Sequence, residues 1–312
     1  MNKRICVIGG GAWGENHIRT LKELGMLAAV VETNDVRRNY IEEKYHCICY
    51  KNTEEAVIER YDGYVVAAPA ELHFKIGRKL LMAGLPTLIE KPMTLNSQDA
   101  MELVSIAERG HVPFMVAHIL LFHPAINKIK ELIDRGKIGK LFYLYSTRIK
   151  FGVVRTEENV FWSFAPHDLA VLDYLVGAPA NNIRVSKGNF LQDNICDYAT
   201  AELDYPNNVK AHIFTSWLHP FKEQRLVVVG SDGMLWFNDA TDKKIYFSGK
   251  RVGWESRCPV LIQSETEEIP YKHALPLTEE LKYFANHLQT EPSISTGKDG
   301  YRIVKMLEEV QN

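Results

Sequence analysis

Nothing in this sequence is long and apolar enough to span a bilayer: hydrophobic residues fill 46% of its 312 positions but are broken into short runs. Basic residues are not in excess either. With 37 Lys and Arg against 39 Asp and Glu, the net charge is -2, and no surplus exists to neutralise the phosphates of a nucleic acid. Cysteine is scarce and scattered. Cys6, Cys47, Cys49, Cys196 and Cys258 are an odd set, and Cys47-x-Cys49 lacks a second pair to complete a metal site, so all five read as reduced thiols and no metal is expected. No secretory leader is expected, since Met1-Asn2-Lys3-Arg4 reads as running directly into a strand. The expected setting is the cytoplasm, with no membrane contact. There is no internal repeat and no low-complexity linker.

The remainder is ordinary globular material, 24% charged. Its length exceeds what one core usually serves, so two domains are expected, 1–120 and 121–312. In the first, short apolar runs at 5–8, 27–31, 47–50, 64–68, 87–89 and 114–117 alternate with stretches of helical period at 15–24, 36–45, 54–60, 72–83 and 97–109. Continuous apolar strands with helical crossovers predict a Rossmann-type, doubly wound parallel α/β sheet, whose ligand crevice opens at the carboxyl ends of its strands. The second half predicts an amphipathic helix at 124–134, strands at 141–149, 183–190, 198–205, 209–217, 225–229, 234–238 and 244–247, and closing helices at 278–288 and 300–310. Turn chemistry at Pro206-Asn207-Asn208 and Ser231-Asp232-Gly233 supports hairpins. The second domain is thus expected to be α+β, with a large, mostly antiparallel open sheet.

The first strand turns at Gly9-Gly10-Gly11-Ala12-Trp13-Gly14, a G-x-G-x-x-G that opens a helix. Glycine there permits a tight turn and lets the backbone approach a pyrophosphate at the helix N-terminus. The second strand ends in Glu32, near the spacing of a ribose-binding acid. Glu32 would accept from the adenosine ribose hydroxyls and repel a 2′-phosphate, which favours NAD over NADP; Arg37 or Arg38 reaching such a phosphate is the contrary option. Pro69 breaks the fourth strand at Ala67-Ala68, and His73 in the next helix lies either on the cofactor side or in solvent. Asn96 with Asp99 reads as a helix N-cap. The fifth strand ends in Glu90-Lys91-Pro92, where a charged pair at the mouth of a central strand is an ion pair, a working amine or a lysine reaching solvent.

Gly9-x-Gly11-x-x-Gly14, Ala67-Ala68-Pro69 with His73, and Glu90-Lys91-Pro92 together resemble the Gfo/Idh/MocA family of oxidoreductases over nearly the whole chain. The resemblance implies a lysine beside the nicotinamide and the substrate hydroxyl, often followed by a cis Lys-Pro bond. It also implies a homo-oligomer built through the second domain's sheet. Cofactor contacts are expected from Gly9, Gly11, Ala12, Trp13, Gly14, Glu32, Ala68, Pro69, His73, Glu90 and Lys91.

The segment 159–169 opens an apolar helix. Many relatives carry Asp-x-x-x-His here with another aspartate three residues on; this chain keeps His167 but has Ser163 and Ala170 at the acidic positions, with Asp168 after the histidine. Oxidising a secondary alcohol needs a base of suitable pKa on the hydroxyl and a donor for the developing alkoxide. His167 and Lys91 are the candidates, the alternative for His167 being a packing role at a helix start. Arg148, Lys150 and Arg155 with Trp162 offer a basic, aromatic loop for a charged leaving group. The stretch 155–159 with Trp162 and Pro166-His167-Asp168 resembles the branch acting on nucleotide-linked amino sugars, which implies oxidation of the 3-hydroxyl of a UDP-linked N-acetylhexosamine. Substrate contacts are expected from Lys91, Arg148, Arg155, Asn159, Trp162, His167 and Asp168, with His118 and His123 at the edge. A ketoreductase of nucleotide-linked deoxysugars, a dehydrogenase of a free sugar or inositol, and a non-catalytic NAD-binding regulator remain as alternatives.

Overall fold

The structure, a computed structural model, describes residues 3–152 and 154–311. The chain divides into two compact units, one made of the residues through Phe122 together with Ala274–Glu308, the other centred on His123–His273.

The first unit carries six parallel strands in the order β3-β2-β1-β4-β5-β6. They are β1 (Ile5–Ile8), β2 (Leu27–Val31), β3 (Ile48–Tyr50), β4 (Gly63–Val66), β5 (Thr87–Glu90) and β6 (Phe114–Ala117). Every residue of β1, β4, β5 and β6 is buried, as expected of strands covered on both faces. The crossovers are α1 (Gly14–Glu23), α2 (Asp35–Tyr45), α3 (Thr53–Ile58), α4 (Ala70–Met82) and α5 (Ser97–Gly110). Asn34, Asn52 and Asn96 cap α2, α3 and α5 by accepting from the backbone N–H three residues on, which satisfies a donor that the helix itself cannot.

The second unit holds α6 (Pro124–Asp134), β7 (Leu141–Phe151), α7 (Val160–Val176) and β8 (Asn182–Gly188), followed by β9 (Tyr198–Asp204), β10 (Lys210–Ser216), β11 (Leu218–Gly230), β12 (Met234–Asn238), β13 (Ile245–Ser248), β14 (Arg251–Glu255), β15 (Cys258–Ile262) and β16 (Thr266–Glu268). Eight strands form one sheet, β16-β13-β12-β11-β7-β10-β9-β8, in which only β7 and β10 run parallel; β14 and β15 make a separate hairpin. Both expected hairpin turns are present, and Asn207 and Asn208 take the left-handed backbone that their side chains tolerate.

The end of the chain departs from the expected partition at residue 120. α8 (Pro276–Asn286) and most of α9 (Gly297–Gln311) pack in the first unit. The cause is the apolar stripe of α8: Leu281, Phe284 and Ala285 are buried, and Phe284 and Leu288 lie against Gly63 at the start of β4. A side chain on Gly63 would meet Leu288 at 2.6 Å.

Asp197, fully buried, anchors the second unit. Its Oδ1 accepts from Trp217 Nε1 (2.5 Å) and its Oδ2 from the backbone of Phe190 and Leu191 (2.8 Å each), joining the exit of β8 to the β10–β11 junction. Truncation strands the buried Trp217 donor and leaves two partly buried backbone donors unpaired. Asp197→Ala is expected to lower stability by about 3 kcal/mol or more, and a melting temperature within about 1 °C of wild type would refute this role.

Candidate active site

The glycine turn after β1 is shaped by close backbone approach. Gly9 has φ +103°, and a Cβ there would lie 2.6 Å from Ala67 O; a Cβ on Gly14 would lie 2.0 Å from Gly9 O. Both positions therefore exclude side chains. Around Gly11 nothing stands within 4 Å of such a Cβ, so its backbone faces open space. That space is a cleft of about 580 Å³ lined by Gly9, Gly11, Ala12, Trp13, Glu32, Ala68 and Pro69, with Asn52–Glu54 along another edge. It lies at the carboxyl ends of β1, β2 and β4, where doubly wound sheets take ligands.

Glu32 is held over this turn: its Oε2 accepts from Gly10 N (2.9 Å) and its Oε1 from Asn34 N (2.8 Å). The two arginines that were the contrary option for a 2′-phosphate are engaged elsewhere. Arg37 donates to Gly10 O (2.6 Å) and Glu15 (2.5 Å), while Arg38 donates to Glu32 O (3.2 Å) and Asp35 (2.7 Å). A fixed carboxylate, an open glycine and a helix N-terminus suit a dinucleotide with a free ribose diol.

At the end of β5, the buried Glu90 carboxylate gathers three donors. Oε1 accepts from Trp13 Nε1 and pairs with His17 Nε2 (2.7 Å), and Oε2 accepts from the Lys91 backbone N–H (3.1 Å). Burial opposes its charge, but His17, Trp13 and Lys91 outweigh burial and hold Glu90 below the usual carboxylate range. Glu90 thus ties the glycine turn and α1 to the strand end that bears Lys91. The Lys91–Pro92 bond is cis. His73 completes this corner, its buried ring lying 2.8 Å from both Pro92 O and Ala68 O. Its nitrogens therefore face backbone rather than the cleft, which makes it a positioning residue for the ends of β4 and β5.

Two further buried groups belong to this unit, of which Glu280 escaped the sequence reading and His118 was expected at the edge of the substrate site. Glu280 on α8 is fully buried, with no hydrogen-bond partner for either oxygen among the described residues. Burial, and then the negative charge of Glu90, push its pKa well above the usual carboxyl range. His118 after β6 is neutral at physiological pH, pushed down to about 4 by burial despite Asp299 and Glu90. Glu280 had left a trace in the sequence, a charged residue at a position of the apolar stripe with Leu281 and Phe284.

In the second unit, Asn159 caps α7 by accepting from Phe161 N and Trp162 N (3.0 Å each). His167, half-buried, follows Pro166 within the helix. Next to it Asp168 is buried and accepts from Ser146 Oγ (2.7 Å) and from Arg148 Nε (2.8 Å) and Nη2 (3.1 Å). Burial opposes the Arg148 charge, and Asp168 with Asp239 overcomes it, so the guanidinium is held above its ordinary range. This bidentate pair fastens the turn bearing His167 to β7. Trp162 is 3% exposed and belongs to the core, not to a stacking surface. Arg155 is exposed and pairs with Glu158 at 2.9 Å. His123 caps α6 and packs its ring on Phe237.

Turn, acid and cleft define an NAD-binding Rossmann unit of an oxidoreductase. Residues 3–118 match the oxidoreductase family with an NAD-binding Rossmann fold, and residues 126–236 match the GFO/IDH/MocA C-terminal domain. The chain belongs to the Gfo/Idh/MocA family of oxidoreductases. It is 27% identical over 217 residues to UDP-N-acetylglucosamine 3-dehydrogenase of Acidithiobacillus ferrooxidans, covering 69% of this chain and 67% of that one. To inositol 2-dehydrogenase of Corynebacterium glutamicum it is 25% identical over 190 residues, covering 58% of this chain and 56% of that one. Among solved structures, the same A. ferrooxidans enzyme superposes with a TM-score of 0.86 at 22% identity, covering 100% of this chain and 97% of that chain. Aldose-aldose oxidoreductase from Caulobacter crescentus gives 0.83 at 16% identity, covering 99% and 96%.

Two predictions follow from these acids. Glu32→Ala is expected to weaken NAD binding by roughly tenfold or more in calorimetric titration, and unchanged affinity would remove Glu32 from the cofactor site. Glu280 keeps a proton in the folded state that the unfolded chain releases, so its contribution to stability declines as pH rises above the ordinary carboxyl range. Glu280→Gln mimics the protonated acid at every pH. Its melting temperature is expected to exceed wild type by roughly 2 °C or more at about pH 8, with the gap closing towards about pH 5. Parallel curves would contradict the assignment.

Proposed function

We propose that this enzyme uses NAD to oxidise the 3-hydroxyl of a UDP-linked N-acetylhexosamine to a 3-keto sugar. The carrying observation is the anchoring of Lys91: Glu90, clamped by Trp13 and His17, joins the lysine to the turn of the NAD-binding cleft. The choice of a UDP-sugar is supported by the likeness to the A. ferrooxidans enzyme and by exposed Arg155, whose surface pair with Glu158 costs little to exchange for a diphosphate.

NAD, when bound, supplies the hydride acceptor. The chain's residues do the rest. Lys91 donates a hydrogen bond to the substrate oxygen and stabilises the negative charge that develops on it. His167 is the base that takes the hydroxyl proton. Arg148, Asp168, Asn159 and Trp162 act through His167 by fixing the start of α7, and His73 acts through Lys91. We assign the second unit the substrate-binding and self-associating roles, the latter supported by Phe142 and Tyr143, 45% and 48% exposed on β7. Five cysteines without a disulfide suit a reducing compartment, and we place the protein in the cytoplasm.

Purified protein with NAD and a panel of UDP-sugars, deoxysugar nucleotides, free sugars and myo-inositol tests this reading. Reduced cofactor and a 3-keto product are expected with UDP-N-acetylglucosamine or its epimer; turnover with myo-inositol alone would favour the reading that the inositol dehydrogenase relatives support. Lys91→Met and His167→Asn are each expected to reduce kcat by about 10²–10⁴ while NAD still binds. Near-normal turnover in either variant would overturn the role given to that residue.

A further inference from the structure

Cys47 and Cys49 stand at the outer edge of the first unit's sheet, apart from the cleft and unused by the chemistry above. Their Sγ atoms lie 3.9 Å apart in a thiol–thiol hydrogen bond, and both residues are only partly buried. Residues two apart on extended chain project to the same side, which brings the sulfurs face to face. β3 is an edge strand bonded only to β2, through Ile48, Cys49 and Tyr50. Cys47 precedes that ladder. It follows His46, whose left-handed backbone (φ +48°) ends α2, so no sheet bond holds Cys47 back from Cys49.

We propose that Cys47 and Cys49 form a dithiol site that low-molecular-weight disulfides oxidise reversibly to an intramolecular disulfide. The two sulfurs are unequal. Cys47 is the readier to ionise: the contact with Cys49 and the positive charge of Lys22 favour its thiolate against the opposing burial, whereas the same contact and burial hold the Cys49 proton in place. Glu42 opposes ionisation at both, and Arg38 favours it at Cys49. In the first step the Cys47 thiolate attacks one sulfur of RS–SR, forming a mixed disulfide and releasing RS⁻, which takes up the Cys49 proton as RSH. The Cys49 thiolate then attacks Cys47 Sγ, forms the protein disulfide and expels the second RS⁻, which is protonated by solvent using the proton Cys47 gave up. Two thiols are oxidised and one disulfide is reduced to two thiols. Closure requires the sulfurs to approach by about 2 Å, within reach of rotation about the side chains and movement of the unladdered Cys47.

The test uses the full chain, reduced and then exposed to oxidised glutathione, with Cys258→Ser as the background because Cys258 is an exposed thiol. Peptide mass spectrometry of the tryptic segment 45–51, which carries both cysteines, is expected to show the loss of two hydrogen atoms, reversed by dithiothreitol. Cys49→Ser is expected to accumulate the glutathione adduct on Cys47, and Cys47→Ser to react roughly tenfold more slowly or less. NAD binding serves as the check that both variants fold. Two outcomes overturn the proposal: a segment that keeps two alkylatable thiols where Cys258 of the unsubstituted chain is modified, or a stable glutathione adduct without closure in the protein that retains both cysteines.

Discussion

One buried carboxylate organises the NAD-binding half of this enzyme. Glu90 ends an interior strand of the sheet and is 8% exposed, and an isolated charge there would be untenable. Trp13 and His17 from the glycine-turn helix, with the next backbone N–H, make it tenable. The same three bonds that stabilise the charge also determine where Lys91 begins and how the turn and α1 sit against β5. Electrostatic compensation and placement of Lys91 are thus one arrangement.

The second unit uses the same economy twice. Asp168 accepts from Ser146 and from two nitrogens of Arg148, and Asp197 accepts from Trp217 and two backbone amides. Each acid sits where chain segments distant in sequence converge, so a single side chain joins elements that hydrophobic packing alone would leave free to slide. Position 163 carries a serine, and Asp168 is occupied by Arg148, so the helix turn that bears His167 is fixed by an internal ion pair.

Much of this was legible in the residues. Apolar runs of three to five residues separated by helical periods specified the parallel sheet, because strands buried on both faces show no alternation, and the Asn207-Asn208 turn marked a hairpin. The glycine turn and Glu32 were readable because backbone approach and a ribose-binding acid leave few chemical options. Harder to read was everything that depends on pairing at long range. Arg148 and Asp168 each look available in sequence, and only folding shows that they satisfy one another. Trp162 reads as a stacking platform but is core, since an aromatic residue on an apolar helix carries no mark of which face it turns inward. The segment 218–224 of β11, the β14–β15 hairpin and β16 were missed because they are largely exposed: 218–224 and β16 mix polar with apolar residues without a strand's pattern, and Val252, Trp254, Leu261 and Ile262 of the hairpin are exposed rather than part of a core.

The return of α8 and α9 to the first unit bears on the order of events during synthesis. Gly63 and the start of β4 leave the ribosome early, yet the Phe284 and Leu288 that cover them emerge only after the whole second sheet has been made. Through that interval the nascent Rossmann sheet exposes part of its core. The body of the second unit, His123–His273, is one continuous stretch and has its parts together sooner, so the half of the enzyme that begins first waits longest for its core to close.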